Sequence, residues 1–245
     1  MESTDVIILG AGAAGLFCAA EAAARGRKVL VLESCSRPAP KILVSGGGRC
    51  NFTNKSAKPS DYATSNPAFV PYALSQFTPK DFIALVEEHS IPYHEKKDGQ
   101  LFCDKSAKAI LDLLLARAQQ RGVRLLKEQN TREVSHSDGL FTVKTQDAAY
   151  SAPRLVVATG GLSWPQLGAT DLGYKLAQQF GLKIIEPSPA LVGLTFPERE
   201  KTRFEGLSGI HLRVGVSCGD WNLVEDLMIT HKGLSGPVML NASLF

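Results

Sequence analysis

A short apolar run, a glycine turn, an alanine-rich stretch and a second apolar run ending in an acid fill the first 33 residues, and few folds accept that order. Residues 5–9 (DVIIL) are apolar and rich in β-branched side chains, as a parallel strand buried on both faces requires. Gly10, Gly12 and Gly15 follow as G-A-G-A-A-G. Residues 13–24 are mostly Ala and Leu, a helix able to lie close against a sheet, and Gly26 ends it. Residues 28–32 (KVLVL) are a second strand, with Glu33 at its end. The strand, glycines, helix and acid together make a dinucleotide-binding βαβ unit. Gly10 permits the tight turn, Gly12 lets backbone approach a pyrophosphate, and Gly15 lets helix and strand pack closely. The helix N-terminus, from Ala13 and Ala14 onward, aims free N–H groups at the phosphates. Glu33 lies 18 residues after Gly15, where an acid accepts from ribose hydroxyls and repels a 2′-phosphate. The adenosine half is therefore expected to be FAD or NAD, not NADP.

With 245 residues the chain can bury a large core, as one large domain or two smaller ones. A formal charge of +3 and the lack of any basic run give no sign of a nucleic-acid partner or an anionic membrane surface. No apolar stretch approaches the roughly 18 residues of a membrane span. Cys18, Cys35, Cys50, Cys103 and Cys218 are scattered, odd in number and form no CxxC pair. A disulfide framework or a metal site is thus not expected, and a cytoplasmic setting is.

Further along, Thr78, Pro79 and Asp81 read as N-cap, N1 and N3 of a helix. Residues 91–93 and 100–103 read as strands around a turn at Asp98-Gly99, and a helix follows Ser106. Residues 123–126 are expected to form a strand. Residues 131–136, 140–145 and 148–151 follow as a meander. Residues 154–158 (RLVVA) are a return strand ending at Thr159-Gly160-Gly161. A helix over 171–180 and a strand over 182–186 come next. From Pro187 short β-like runs alternate with Gly and Pro. By analogy this order is an α/β, Rossmann-like FAD-binding domain of the glutathione-reductase type. It predicts that residues 5–9 and 154–158 are adjacent parallel strands. The expected division is a FAD-binding domain over 1–190, with an excursion at about 55–105, and the beginning of a β-rich domain over 191–245.

Residues 45–51 (S-G-G-G-R-C-N) need their own explanation. Three glycines leave N–H groups unshielded, able to cradle an anion or approach a flat ring. Arg49 adds a planar, permanent positive charge, and Cys50 and Asn51 add a polarizable sulfur and an amide. At this point the chain resembles the HI0933-like flavoproteins, the BaiN/YhiN-type NAD(P)/FAD-dependent oxidoreductases. The stretches that carry the resemblance are GAGAAG, KILVSGGGRCNFTN, ATGGLSWPQLGATDLGY, PALVGL and GLSGPVML, spread over nearly the whole chain. The resemblance implies noncovalent FAD held by Gly10, Gly12, Ala14, Gly15 and Glu33. It adds Lys41 and the loop Gly47, Gly48, Arg49, Cys50 and Asn51. It implies that Val134 meets adenine through its backbone and that Thr159 and Gly160 line the cofactor. It also implies that the β-rich domain, from near Leu191, is inserted into the FAD domain. Family members continue past G-L-S-G-P and return to the FAD domain, so this chain is expected to lack the C-terminal part. Relatives carry glycine where this chain has Leu172.

No acid–base pair is forced by the sequence, and no catalytic residue is named. Cys50 has no cysteine near it in sequence and reads as a packed thiol beside the cofactor, with a redox thiol as the lesser alternative. The five histidines are dispersed, with His231, before G-L-S-G-P, the best placed. The leading expectation is a FAD-dependent oxidoreductase. It passes electrons from NAD(P)H, bound transiently, to a small organic acceptor such as an activated double bond. The rivals are a non-catalytic nucleotide-binding or interaction module and a flavin-free NAD dehydrogenase.

Overall fold

The structure is a computed structural model and describes residues 2–245. Its chain forms two compact units, one up to Ile184 and one over Ile185–Phe245.

The first unit begins with the two-residue strand β1 (Glu2–Ser3), then β2 (Val6–Leu9), helix α1 (Ala13–Ala24) and β3 (Val29–Leu32). After β3, α2 (Pro40–Val44) and a 3-10 turn over the glycines lead into β4 (Asn51–Asn54). Two helices follow, α3 (Phe69–Gln76) and α4 (Pro79–Glu88), then β5 (Tyr93–Glu95), β6 (Gln100–Cys103) and α5 (Lys108–Gln120). β7 (Arg124–Leu126) precedes the meander β8 (Glu133–Ser137), β9 (Leu140–Lys144) and β10 (Ala149–Ala152). β11 (Arg154–Val157) and α6 (Leu172–Gln179) complete the unit. Leu172 is the first residue of α6 and is not among the positive-φ residues, so no glycine is required there.

The parallel sheet runs β11-β2-β3-β7. β11 pairs with β2 in parallel, Arg154 opposite Val6 through Val157 opposite Leu9, as the sequence predicts. All four residues of β2 and of β3 are buried, which explains their unbroken apolar runs. Alternate side chains leave on opposite faces. Val6, Ile8, Val29 and Val31 join Leu16 and Ala19 of α1 and Ile110 and Leu114 of α5 in one core. Ile7, Leu9, Leu30 and Leu32 join Val134, Val143 and Tyr150 of the meander and Leu176 of α6 in the other. Each such side chain contributes roughly 1.5–3 kcal/mol by leaving water. α1 and α5 are further joined by Glu21, which accepts from Arg117 at 3.1 Å and Arg121 at 3.2 Å. The meander turns at Asp138 and Gly139, both at positive φ, as a two-residue hairpin of type I′ demands. The unit therefore has three layers: helices, parallel sheet and antiparallel meander.

The excursion carries a small sheet, β4-β6-β5. Its strand β5 begins two residues later than the expected 91–93. α4 starts as the sequence predicts. The Thr78 hydroxyl accepts from Asp81 N–H at 3.3 Å, and the Asp81 carboxylate accepts from Thr78 N–H at 2.7 Å. The Thr78 hydroxyl also donates to that carboxylate at 2.6 Å, and this bond, with the one from Thr78 N–H, holds the Asp81 carboxyl below its usual range. Thr78→Ala should lower stability by about 1 kcal/mol in urea unfolding, since the cap is exposed and water partly replaces it.

One expectation fails. Residues 182–186 form no strand, and Leu182 and Ile185 are 63% and 81% exposed. With no neighbouring strand to accept its backbone, an apolar run of this length stays irregular.

The second unit has the sheet β12 (Leu194–Thr195), β15 (Gly233–Ser235), β14 (Trp221–Ile229) and β13 (His211–Cys218), in that spatial order. Its helices are α7 (Glu198–Lys201) and α8 (Pro237–Ala242). Val238 and Met239 of α8 pack on Leu227 and Ile229 of β14 to form its core.

Candidate functional site

The turn between β2 and α1 is shaped by two close approaches. Gly10 has φ +98°, and a Cβ there would stand 2.5 Å from the Ala158 carbonyl oxygen. A Cβ on Gly15 would stand 2.0 Å from the Gly10 oxygen. These contacts draw α1 onto the strand ends. Gly12 is the N-cap of α1, no side chain caps it, and a Cβ there would meet nothing within 4 Å. The first-turn N–H groups of α1 therefore face open space, where the helix dipole favours an anion.

Glu33 closes the other side. It is only 7% exposed, and its carboxylate accepts from Ala11 N–H at 2.6 Å and Cys35 N–H at 2.8 Å. It thereby ties the glycine turn to the end of β3. A carboxylate has about four acceptor positions, so capacity remains for ribose hydroxyls.

These groups border a cleft of about 720 Å³ at the carboxyl ends of the parallel strands. That is within the usual size of cofactor pockets. Gly10, Gly12, Ala13, Ala14 and Glu33 line it from one side, and Lys41, Thr159 and Gly160 from the other. Lys41 Nζ lies 3.7 Å from where a Cβ of Gly160 would stand. The Thr159 hydroxyl is buried with no hydrogen-bond partner in the protein. A hydroxyl in that state calls for a ligand partner. Open floor at Gly12, uncapped helix, ribose-type acid and unpartnered hydroxyl all fit the adenosine and pyrophosphate parts of FAD.

Gly15 lies beneath the cleft, not on its wall. Cys50 and Asn51 line a second cleft of about 950 Å³, bounded largely by aromatic and aliphatic side chains such as Phe17, Phe52 and Phe82. The two clefts share Ala13, Ala14, Lys41 and Ile42. Gly47, Gly48 and Arg49 border neither, and Gly47 and Arg49 are exposed. Val134 is buried inside β8, and its carbonyl accepts from the Gln179 amide at 2.6 Å. The structure also brings in residues that the sequence reading missed. Gln129, Asn130 and Thr131 follow β7, and Asp171 and Lys175 stand at α6. Gln129 N–H donates to the Glu33 carbonyl at 2.8 Å. For Gln129 to Thr131 the one sequence signal was position just after a strand end, where open α/β sheets place ligand contacts; Asp171 and Lys175 had none.

No histidine borders either cleft. His231 is exposed in the turn before β15, and His94 hydrogen-bonds Asp104 at 2.7 Å on the excursion sheet. No cluster of His, Cys, Asp and Glu able to hold a metal occurs among the described residues. Nor is any helix among them long and apolar enough to cross a membrane.

Residues 4–236 match the HI0933-like protein Rossmann domain. The chain belongs to the HI0933-like family. It is 42% identical over 246 residues to the ribosomal RNA dihydrouridine synthase of Escherichia coli, covering 100% of this chain and 62% of that protein. It is 30% identical over 239 residues to the 3-dehydro-bile acid delta(4,6)-reductase of Clostridium scindens, covering 94% and 57%. The chain thus spans about three fifths of the length of these curated relatives. Among solved structures, the 3-ketosteroid-delta4-(5alpha)-dehydrogenase of Rhodococcus jostii shares the fold. Its TM-score is 0.50 at 18% identity, over 66% of this chain and 46% of that one. The family match is to a Rossmann domain, and the solved structure shows the same nucleotide-binding fold.

Proposed function

We propose that this chain carries the cofactor-holding part of a FAD-dependent reductase that adds hydrogen across an activated carbon–carbon double bond, with NAD(P)H as electron donor. The observation that carries the reading is the first cleft. Its uncapped helix terminus, Glu33 and the unpartnered Thr159 hydroxyl meet the three polar parts expected of a bound dinucleotide. When bound, the flavin supplies the two-electron chemistry. The protein residues bind and orient it. The Gly12–Ala14 backbone and Lys41 hold the pyrophosphate, Glu33 the ribose, and Thr159 and Gly160 the cofactor beyond it. The loop 47–51 and the Val134 backbone remain contacts that the family resemblance assigns. Residues 191–245 are the start of an inserted β-rich domain on the same reading.

The names of the two relatives support the reaction class. Dihydrouridine is uridine with its ring double bond hydrogenated, and a delta(4,6)-reductase acts on ring double bonds. A uridine in ribosomal RNA is the first acceptor to test, because the relative named for it is 42% identical over the whole chain. A net charge of +3 predicts weak, salt-sensitive RNA binding, so the assay belongs at low ionic strength. The purified protein should keep flavin absorption bands through desalting and oxidise NADH or NADPH when given unmodified ribosomal RNA. A folded, colourless protein that takes up no added FAD would overturn the cofactor assignment. Flavin retention with no acceptor-dependent oxidation would instead favour a nucleotide-binding module.

A further inference from the structure

Cys50 and Cys103 are 53 residues apart in sequence, yet the excursion sheet sets them side by side. β4 and β6 are antiparallel neighbours with Asn51 opposite Phe102. Immediately before that pair, Cys103 N–H donates to the Arg49 carbonyl at 2.9 Å, the peptide that leads into Cys50. This bond makes Cys50 and Cys103 facing neighbours across the sheet edge, the relation a cross-strand disulfide needs. Both thiols belong to the same core cluster, Cys50 at 6% exposure and Cys103 at 1%. They are not equivalent. Cys50 lines the second cleft, whereas Cys103 borders neither cleft. Cys50 also holds a left-handed backbone, φ 50°, which a non-glycine residue adopts only when its surroundings impose it.

We propose that Cys50 and Cys103 form a two-electron thiol couple, opened to small disulfides through the second cleft, with Cys50 as the attacking thiol and Cys103 as the resolving one. In the first step the Cys50 sulfur, having lost its proton to solvent, attacks a small disulfide RSSR. A Cys50–SR bond forms, and one RS⁻ leaves and takes up a proton. In the second step the Cys103 sulfur, likewise deprotonated, attacks Cys50 and releases the second RSH. Two cysteine thiols are oxidised to one cross-strand disulfide and one RSSR is reduced to two RSH. The bond would fasten the 45–49 loop to β6 beside the second cleft.

The electrostatics set the pace. Burial raises the Cys50 thiol, with a hydrogen bond from Ser45 opposing it. Burial, then the charge of Cys50 and of Asp104, pushes Cys103 up to about 11. Little thiolate is present near neutral pH, so exchange with a disulfide admitted to the cleft is slow and quickens as pH rises. The couple needs no bound flavin: it uses the β4–β6 pairing and the second cleft, and the test is run on the protein without added FAD because the family resemblance also places Cys50 beside the cofactor.

The test treats the whole folded chain with cystamine, quenches with an alkylating agent and maps cysteine peptides by mass spectrometry. The expected product is a linked Cys50–Cys103 peptide pair, lighter by two hydrogens and restored by dithiothreitol. Cys103→Ser should instead leave one cysteamine held on Cys50 as a mixed disulfide, the other having been released. Either a lasting mixed disulfide on Cys50 of the unmutated protein or linkage of Cys50 to Cys18, Cys35 or Cys218 would overturn the proposal. So would finding both thiols free while exposed Cys218 has reacted. The mapping on the unmutated chain decides even if the variant does not fold.

Discussion

Gly15→Ala is expected to destroy both the turn and the cofactor site, whereas Gly12→Ala should destroy only the second. A Cβ at Gly15 would sit 2.0 Å from the Gly10 carbonyl oxygen, far inside contact distance, and both are backbone positions that no rotamer change can clear. The start of α1 would have to leave the strand ends, opening the core around Leu16 and Ala19, both fully buried. The cost should be about 3 kcal/mol, at the upper end of ordinary overpacking, and a large fraction of a domain's stability. FAD retention should disappear with it. At Gly12 the added methyl meets no protein atom within 4 Å, so thermal stability should stay within about 0.5 kcal/mol of the parent. That methyl nevertheless projects where a pyrophosphate must approach. Isothermal titration with FAD and thermal melts on both variants separate packing from binding. An unchanged FAD affinity in Gly12→Ala would mean that the dinucleotide does not cross α1 at this point.

Glu33→Ala should cost stability and affinity together, for separable reasons. Its carboxylate satisfies the N–H groups of Ala11, which is fully buried, and of Cys35. Removing it leaves both without an acceptor, at about 1–3 kcal/mol for each group that water cannot reach. Loss of the ribose contacts should weaken FAD by about 10–100-fold, since bonds to a charged acceptor contribute about 1.5–3 kcal/mol. Glu33→Gln keeps an amide oxygen able to accept from one of the two N–H groups. It should therefore recover part of the melting temperature while still binding FAD poorly. Equal FAD affinity in the parent and Glu33→Ala would rule out Glu33 as the ribose acceptor and leave it a fastener of the turn.

Much of this was readable in the chain. The glycines, the alanine helix and Glu33 act within 33 residues of one another, so their joint geometry follows from local backbone rules. The meander over 131–151 and the cap at Thr78 were legible for the same reason: turn and cap chemistry depends on neighbours a few residues away. Residues 182–186 misled because an apolar run becomes a strand only if another strand accepts it, and that acceptor is a tertiary fact. Gln129 to Thr131 and Lys175 were invisible as cleft residues because nothing in their own composition marks them. They border the site because the chain leaving β7 and the first turn of α6 lie there.

The amino-acid order by itself thus determined the βαβ unit, the acid at its end and the class of cofactor, since each rests on contacts between near neighbours along the chain. Only the tertiary structure decided which residues share a wall. It set Cys50 and Asn51 on a second cleft, left the Thr159 hydroxyl buried without a partner, and carried Cys103 across 53 residues to the strand beside Cys50. Pairing of distant strands is chosen by the burial of whole faces at once, and no local stretch of sequence carries that sum.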